Sequence, residues 1–325
     1  MPDNFCHLHV HDEYSLLDGL GTAQQYLDYA KRIGQQYVAI TNHASIDGTI
    51  KAQKVSEAIG GVKLIVGAEL YIVPDVSVKE KGERRKHILV LVKNDNGWFN
   101  LLQMLTVANI DGFYHRPRIS PEILLKHADG LIISTACASS FITEGWGIKL
   151  FEQLNDIMKD DLYLEVMPHL LKDQKDINRL CNKVSWKYGN KMIVTNDCHY
   201  VYADDSKAHE VLLCVQRKAN WNDANRWKFD VTDLYLKTAD EMFKAFREQN
   251  VLTNRQVYTA MENTLEIAEK CKDFSIAKRK VSLPNVDVIV GRRRVSDEMT
   301  LRKLCELGMK EKILNNTSKT DTYKS

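Results

Sequence analysis

The chain has 325 residues, 44% hydrophobic and 27% charged, with a formal net charge of +2 and a pI near 8.0. That length predicts one large domain with an appendage, or two domains; the balance excludes collagenous, broadly disordered and strongly basic chains. No apolar run reaches the ~18–20 residues that span a bilayer, the start lacks a signal-peptide core, and the seven Cys show no C-x-x-C spacing, so a cytoplasmic protein without a disulfide framework is expected.

Short apolar runs at 5–11, 37–41, 63–67, 88–92, 131–135, 162–166 and 192–195 alternate with amphipathic stretches at 22–33, 49–59, 96–108, 120–127, 147–158 and 173–188. This is the pattern of strands alternating with helices. Thr22 with Gln25 fits a capping box, and Ser120 precedes a proline at a first helical position. Seven such strands suit a closed (β/α) barrel or an open doubly wound sheet. No glycine-rich phosphate loop follows the first strand, which weakens a dinucleotide-binding reading. Beyond residue 200 the texture becomes helical, at 204–217, 239–248 and 253–272, with a short strand-like run at 233–237. The organisation expected is therefore a barrel over 1–200, a helical extension over 201–285 and a polar, partly disordered tail over 286–325.

Candidate chemistry collects at the strand ends. The first run contains His7, His9 and His11, a spacing that arises by chance in roughly one chain in a hundred of this length. On a regular strand these three imidazoles share one face, a poor core and a good metal site. His43, Glu69, Cys137, Asp197 and His199 each follow a predicted strand, where barrel enzymes assemble their sites. Taken singly, a His is more often a hydrogen-bonded packing residue and a Cys more often a buried hydrophobe; the shared position carries the functional reading. His87 opens the run 88–92, so a strictly parallel strand would leave it at the wrong mouth. Either 73–86 wraps the strand start toward the site, or this strand runs the other way.

The segments His7 to Gly19, Ala39-Ile-Thr-Asn-His43, Gly67-Ala-Glu69 and Thr195-Asn-Asp-Cys-His-Tyr200 resemble motifs of the PHP (polymerase and histidinol phosphatase) superfamily. More narrowly, with Phe113 to Arg118, Ala208 to Cys214, Leu234 to Lys237 and Asn263 to Ala268, they are similar to the PHP region of the bacterial DNA polymerase III α subunit (family C). The resemblance covers roughly residues 4–285, and Leu283-Pro284 sits where a polymerase palm begins in that family. It implies an α/β fold, a distorted seven-stranded (β/α) barrel with a helical C-terminal extension, and up to three divalent metals at one mouth. His9, His11, Glu69 and Asp197 would hold one metal; Glu69, His87 and Cys137 a second; Asp18, His43 and His199 the third. Mixed N/O/S ligation suits zinc, with manganese or iron at oxygen-richer sites. His7 then becomes structural. The family usually carries Asp where this chain has Asn42, which removes a charge expected to orient a ligand imidazole.

The implied reaction is hydrolysis of a phosphate ester, with Glu69, His9 and Asp197 at its centre and metal-activated hydroxide attacking phosphorus. In the polymerase context the substrate is a DNA 3′ end, making the chain a 3′→5′ exonuclease working beside a polymerase core or other replisome subunits, with no membrane. The alternatives are a catalytically weak, metal-stabilised scaffold that docks a proofreading or polymerase partner, and a stand-alone small-molecule phosphatase. Arg84, Arg85, Arg116 and Arg118 are candidate phosphate contacts, with Arg292 to Arg294 a further basic patch. Polymerase activity is not expected: about forty residues follow Leu283-Pro284, with no closely spaced aspartate pair and third carboxylate.

Overall fold

The computed structural model describes residues 5–80, 85–276, 288–290 and 293–314. After the opening run the chain forms α1 (Ala23–Arg32), β1 (Tyr37–Ile40), α2 (Thr49–Ile59), β2 (Lys63–Ile72) and β3 (Lys86–Val92). Next come α3 (Asp95–Ile110), β4 (Arg118–Ile119), α4 (Pro121–Lys126), β5 (Leu131–Ser134), α5 (Gly145–Met158), β6 (Leu162–Val166), α6 (Lys172–Tyr188) and β7 (Met192–Val194). Three helices complete this unit: α7 (Ser206–Arg217), α8 (Ala239–Gln249) and α9 (Asn254–Cys271). The first compact unit is Met1–Ala277 and the second Lys278–Ser325.

Local chemistry accounts for the helix starts. Thr22, Thr238 and Thr253 each accept from the backbone three residues on, while Gln25, Glu241 and Gln256 reach back to complete capping boxes. Each satisfies backbone donors that a helix start would otherwise leave orphaned. Ser120 occupies the N-cap of α4 ahead of Pro121, but its side chain makes no capping bond.

The sheet runs β1-β2-β3-β5-β6-β7, with β4 paired to the end of β2. The opening run is not a continuous strand; it is held by single bridges, His7 to Val38 and Val10 to Cys198. Those bridges close the sheet. Ala39 and Thr41 donate to the carbonyls of His7 and Val10 on one side, and His11 N–H to Cys198 O (2.8 Å) and Cys198 N–H to His9 O (3.0 Å) complete the other. The architecture is the distorted seven-stranded barrel of an α/β fold, with the helical extension packed on it.

β3 is antiparallel to both β2 and β5, whereas β1–β2, β5–β6 and β6–β7 are parallel. A strictly parallel barrel is thereby corrected at one strand, and the start of β3 lies at the mouth formed by the other strands' ends. His87 pairs with Tyr71 in this register, and Leu89 with Glu69. The segment 233–237 forms no strand; Tyr235 makes an isolated bridge to Tyr200.

Strand alternation sorts the barrel interior into layers. At the floor, Leu8, Ala39, Ile65, Leu91, Ile132, Tyr163 and Ile193 meet in one buried cluster, sealed by Ile267, Ala268 and Cys271 of α9. Two residues further toward the mouth come Thr41, Gly67, Leu89, Ser134, Glu165 and Thr195. Gly67 has no room for a side chain, since a Cβ there would stand 2.5 Å from the Val90 carbonyl oxygen. Two residues beyond that layer are His43, Glu69, His87 and Asp197. The same periodicity that makes the floor apolar therefore delivers four polar donors to the rim.

In the second unit, β8 (Val288–Val290) and β9 (Arg293–Val295) pair antiparallel and precede α10 (Asp297–Met309). The expected polar tail thus contains regular structure. The Ser296 hydroxyl accepts from Met299 N–H, and Asp297 and Glu298 occupy the first turn, a helix start complementary to the macrodipole. Leu283, Pro284, Arg292 and residues 315–325 lie outside the described residues. Among the described residues no helix is long and apolar enough to cross a membrane.

Candidate metal centre

The barrel mouth gathers all nine residues singled out as ligands into one connected cluster. Glu69, 1% exposed, is its hub. Its carboxylate lies 2.8 Å from His87 Nδ1, 2.7 Å from His43 Nδ1, 3.4 Å from His9 Nε2 and 3.6 Å from His11 Nε2. Cys137 Sγ stands 3.7 Å from Glu69 Oε1 and 3.5 Å from His87 Nδ1. Asp197 Oδ1 is 3.3 Å from His9 Nε2, 3.2 Å from His11 Nε2 and 3.7 Å from His199 Nδ1. Asp18 lies 3.0 Å from His43 Nε2 and 3.9 Å from His199 Nε2.

Three donor groups draw within 4.8 Å: His9, His11 and Glu69; Glu69, His87 and Cys137; and His11, His43 and His199. The third group differs from the set expected from the motifs. His11 stands with His43 and His199, and Asp18 flanks them through its contact to His43.

Loop geometry aims these donors. Ala44, Ala136 and Asp197 have φ of 44°, 57° and 48°. Each non-glycine residue in this region costs about 1–2 kcal/mol, and each here is a candidate ligand or adjoins one, so the strain sits where the chain turns sharply off a strand into the mouth.

The partners of the imidazoles fix which nitrogen faces the mouth. His9 Nδ1–H donates to Glu165 Oε1 at 2.7 Å, and Glu165 is itself held by the hydroxyls of Thr195 (2.6 Å) and Ser134. His11 Nδ1 lies 2.8 Å from Ser15 Oγ, whose hydroxyl donates to Asn42 Oδ1 at 2.9 Å. Both Nε2 atoms are thereby turned inward, 3.2 Å apart. Two imidazole nitrogens this close, facing carboxylates, call for a cation between them.

Charge balance among these side chains shows the same demand. Burial opposes charging His9 and His43, but Asp197, Glu165 and Glu69 around the first, and Glu69 and Asp18 around the second, raise both well above the ordinary imidazole value. Burial and the facing His43 and His199 instead push His11 down to about 3. Glu69 is held well below the usual carboxylate range, against burial, by His87, His9 and His43. Burial, with Glu69 and Asp197 nearby, pushes the Cys137 thiol up. Even so, buried Glu69 Oε2, His43 Nδ1 and Asp197 Oδ1 make no hydrogen bond of proper geometry. Orphaned buried atoms are rare in folded proteins, and three of them converge here among N, O and S donors. The residues fit divalent metal ions, which these atoms would ligate in place of protons.

Several predicted residues fall elsewhere. His7 does not share the mouth: its Nε2 lies 2.8 Å from the Lys237 carbonyl and its ring packs edge-on against Phe5. The opening run lacks the continuous ladder that would enforce strict alternation. Arg118 is fully buried and donates to the carbonyls of Gly112, Val78 and Val76; these contacts make it a clasp for the 73–80 loop, not a phosphate contact. Asn42 touches no imidazole directly, acting through Ser15 and donating to Asp12 Oδ1 at 2.6 Å. Arg84 lies outside the described residues. Arg85 and Arg116 do line the mouth, a cavity of about 690 Å³ that also includes Tyr71, Lys86, Arg217, Trp227 and Phe229.

Sequence reasoning passed over Glu165, Ser15 and the wall supplied by α7 and the loop after it. Glu165 carried a signal, as the lone charge in an otherwise apolar strand. Ser15 and Trp227 carried none, because Ser15 works through Asn42, 27 residues away, and Trp227 meets Arg217 only when the loop after α7 folds back.

Comparison with known families finds that the PHP domain profile matches residues 7–169. DNA polymerase III subunit alpha of Borreliella burgdorferi is 33% identical over 97% of this chain and 28% of that protein. The subunit of Treponema pallidum is 36% identical over 82% and 23%, and that of Thermus aquaticus 33% over 94% and 26%. The chain thus spans about a quarter of the length of these relatives. Among solved structures, an amidohydrolase from Chromobacterium violaceum aligns with a TM-score of 0.41 at 15% identity, covering 60% of this chain and 88% of that one. At that score the likeness carries no weight for function.

Proposed function

Because the chain belongs to the PHP domain family, we propose that its mouth is a divalent-metal phosphoesterase site acting on the 3′ end of DNA, removing nucleotides 3′→5′ within a replicative polymerase assembly. The observation that carries this reading is the gathering of nine candidate ligands in one cluster with buried Glu69 at its hub, and the orphaned Glu69 Oε2 and Asp197 Oδ1 aimed among them. His9, His11, Glu69 and Asp197 would hold one ion, Glu69, His87 and Cys137 a second, and Asp18, His43 and His199, with His11 beside them, a third. Zinc suits this mixed donor set, and manganese or iron its oxygen-richer part. Bound divalent ions supply a water acidic enough to attack at neutral pH and offset the charge that builds on phosphoryl oxygens.

The chain's own residues do the rest. Glu165 keeps the His9 proton on Nδ1, and Ser15 with Asn42 does the same for His11. Arg85 and the exposed Arg116 stand at the cavity wall, where they meet the phosphates of an entering strand. Cys137, whose half-buried thiol is pushed up by its surroundings, would be a ligand and not a nucleophile.

The test offers purified protein, with manganese or zinc, a 3′-labelled single strand and a small phosphomonoester. Release of label from the strand, lost by at least a hundredfold in Asp197→Asn, supports the exonuclease reading. Turnover of the monoester alone makes the chain a small-molecule phosphatase. Metal binding without turnover of either substrate leaves the scaffold reading.

A further inference from the structure

One wall of the mouth belongs to the helical extension and is built unlike the rest. α7 ends at Arg217, and the loop after it returns past the mouth through Trp227 and Phe229. Two stacked cations pin this loop to itself and to the helix: the Arg217 guanidinium lies 4.4 Å over the Trp227 ring, and Arg226 lies 4.5 Å over Trp221 while pairing with Glu210 of α7. Phe229 joins the loop to the donors, with its ring 5.0 Å from Trp227, 5.4 Å from His199 and stacked at 5.8 Å on His209.

Trp227 therefore stands one aromatic ring away from a candidate ligand, braced by a guanidinium, yet 45% exposed. Burial does not explain it, because a large apolar ring gains nothing by remaining in water. Arg85, Arg116 and Arg217 share the same cavity with it. Cations interleaved with an exposed aromatic ring form the combination that holds single-stranded nucleic acid, the charges tracking the backbone and the ring taking a base. The cavity, at about 690 Å³, also exceeds what a phosphate group alone would fill.

We propose that Trp227, held by Arg217, stacks a nucleobase of a single-stranded polynucleotide whose 3′ end lies at Glu69 and Asp197, and that this stack makes the site prefer polynucleotides to small phosphoesters. The inference rests on the phosphoesterase reading of the mouth but concerns binding. It can therefore be tested in chelator-treated protein, without turnover.

Fluorescence anisotropy of the full chain with a labelled oligothymidine gives the affinity, and an abasic strand of the same length removes the bases alone. Trp227→Ala should weaken oligothymidine binding by about tenfold or more, with Trp227→Phe recovering most of it. The abasic strand should bind the unaltered protein as weakly as oligothymidine binds Trp227→Ala. An affinity for Trp227→Ala within twofold of the unaltered protein overturns the proposal, as does an abasic strand that binds equally well. Hydrolysis by the metal-loaded protein separates the two claims. Hydrolysis with Trp227-independent affinity sinks the stacking site alone, whereas Trp227-dependent affinity without hydrolysis sinks the phosphoesterase reading alone.

Discussion

Replacing Glu165 by Gln tests how the mouth is organised without touching a ligand. Glu165 is fully buried and accepts from His9 Nδ1–H at 2.7 Å and Thr195 Oγ1 at 2.6 Å, with Ser134 on its other oxygen. Gln keeps one acceptor oxygen for His9 and Thr195. Its amide then faces Ser134, whose hydroxyl can rotate to accept. The hydrogen bonds survive and only the charge behind His9 is lost. Partners of this kind are worth ten- to a hundredfold in metal affinity, about 1.4–2.8 kcal/mol. Zinc competition against a chromogenic chelator, on stripped protein at pH 7, should therefore show Glu165→Gln binding ten- to a hundredfold more weakly at unchanged secondary structure. Glu165→Ala, which strands three buried donors, should also lower stability by about 1–3 kcal/mol for each donor left unpaired. If Glu165→Gln binds zinc within twofold of the unaltered protein, His9 is not oriented for metal in the way described.

Two further outcomes follow from buried polar groups. Arg118→Met leaves the carbonyls of Gly112, Val76 and Val78 without this donor, and should cost about 3 kcal/mol or more, lowering Tm by roughly 10 °C; an unchanged Tm would show that the clasp is dispensable. Acid should destabilise metal-free protein before most of its carboxylates titrate. Burial lowers His7 and His11 to about 3 and His209 to about 4, while burial raises Asp12 to about 6. The depressed imidazoles contribute stability that is complete above their ordinary 6.5 and lost as pH falls through that value toward the folded ones. Asp12 works in the opposite direction below pH 6. Unfolding between pH 6 and 4.5 thus takes up about two protons net, a loss of roughly 2–3 kcal/mol per pH unit. Urea melts at pH 6 and pH 5 read this directly, and a midpoint that holds or rises on acidification contradicts it.

Much of the barrel was legible because its strands are short apolar runs between well-capped helices, and those signals are local. α2 spans residues 49–59 as its periodicity predicts, and three helices open on the capping boxes written in Thr22, Thr238 and Thr253. The direction of β3 was not legible, because alternation reads the same either way along a strand; only His87, needed at the mouth, hinted at it. Alternation misled at His7, where isolated bridges replace a ladder. It also left the partition of donors open, since strand ends place His11, His43 and Asp18 near one mouth without saying which approach most closely. The basic candidates divided by what surrounds them: Arg116 is exposed at the mouth, while Arg118, two residues later, is consumed by backbone carbonyls. The aromatic wall lay beyond the reach of local patterns, since Arg217 and Trp227 meet only when the loop after α7 folds back.

The central claim, that Glu69 is the hub of a multi-metal site, is tested most directly by counting metal. Elemental analysis of purified protein, after removal of loosely held ions, should find two to three equivalents of divalent metal per chain, and at least one fewer in His9→Ala. A protein that is folded and binds none, or that keeps its full complement in His9→Ala, would contradict the account.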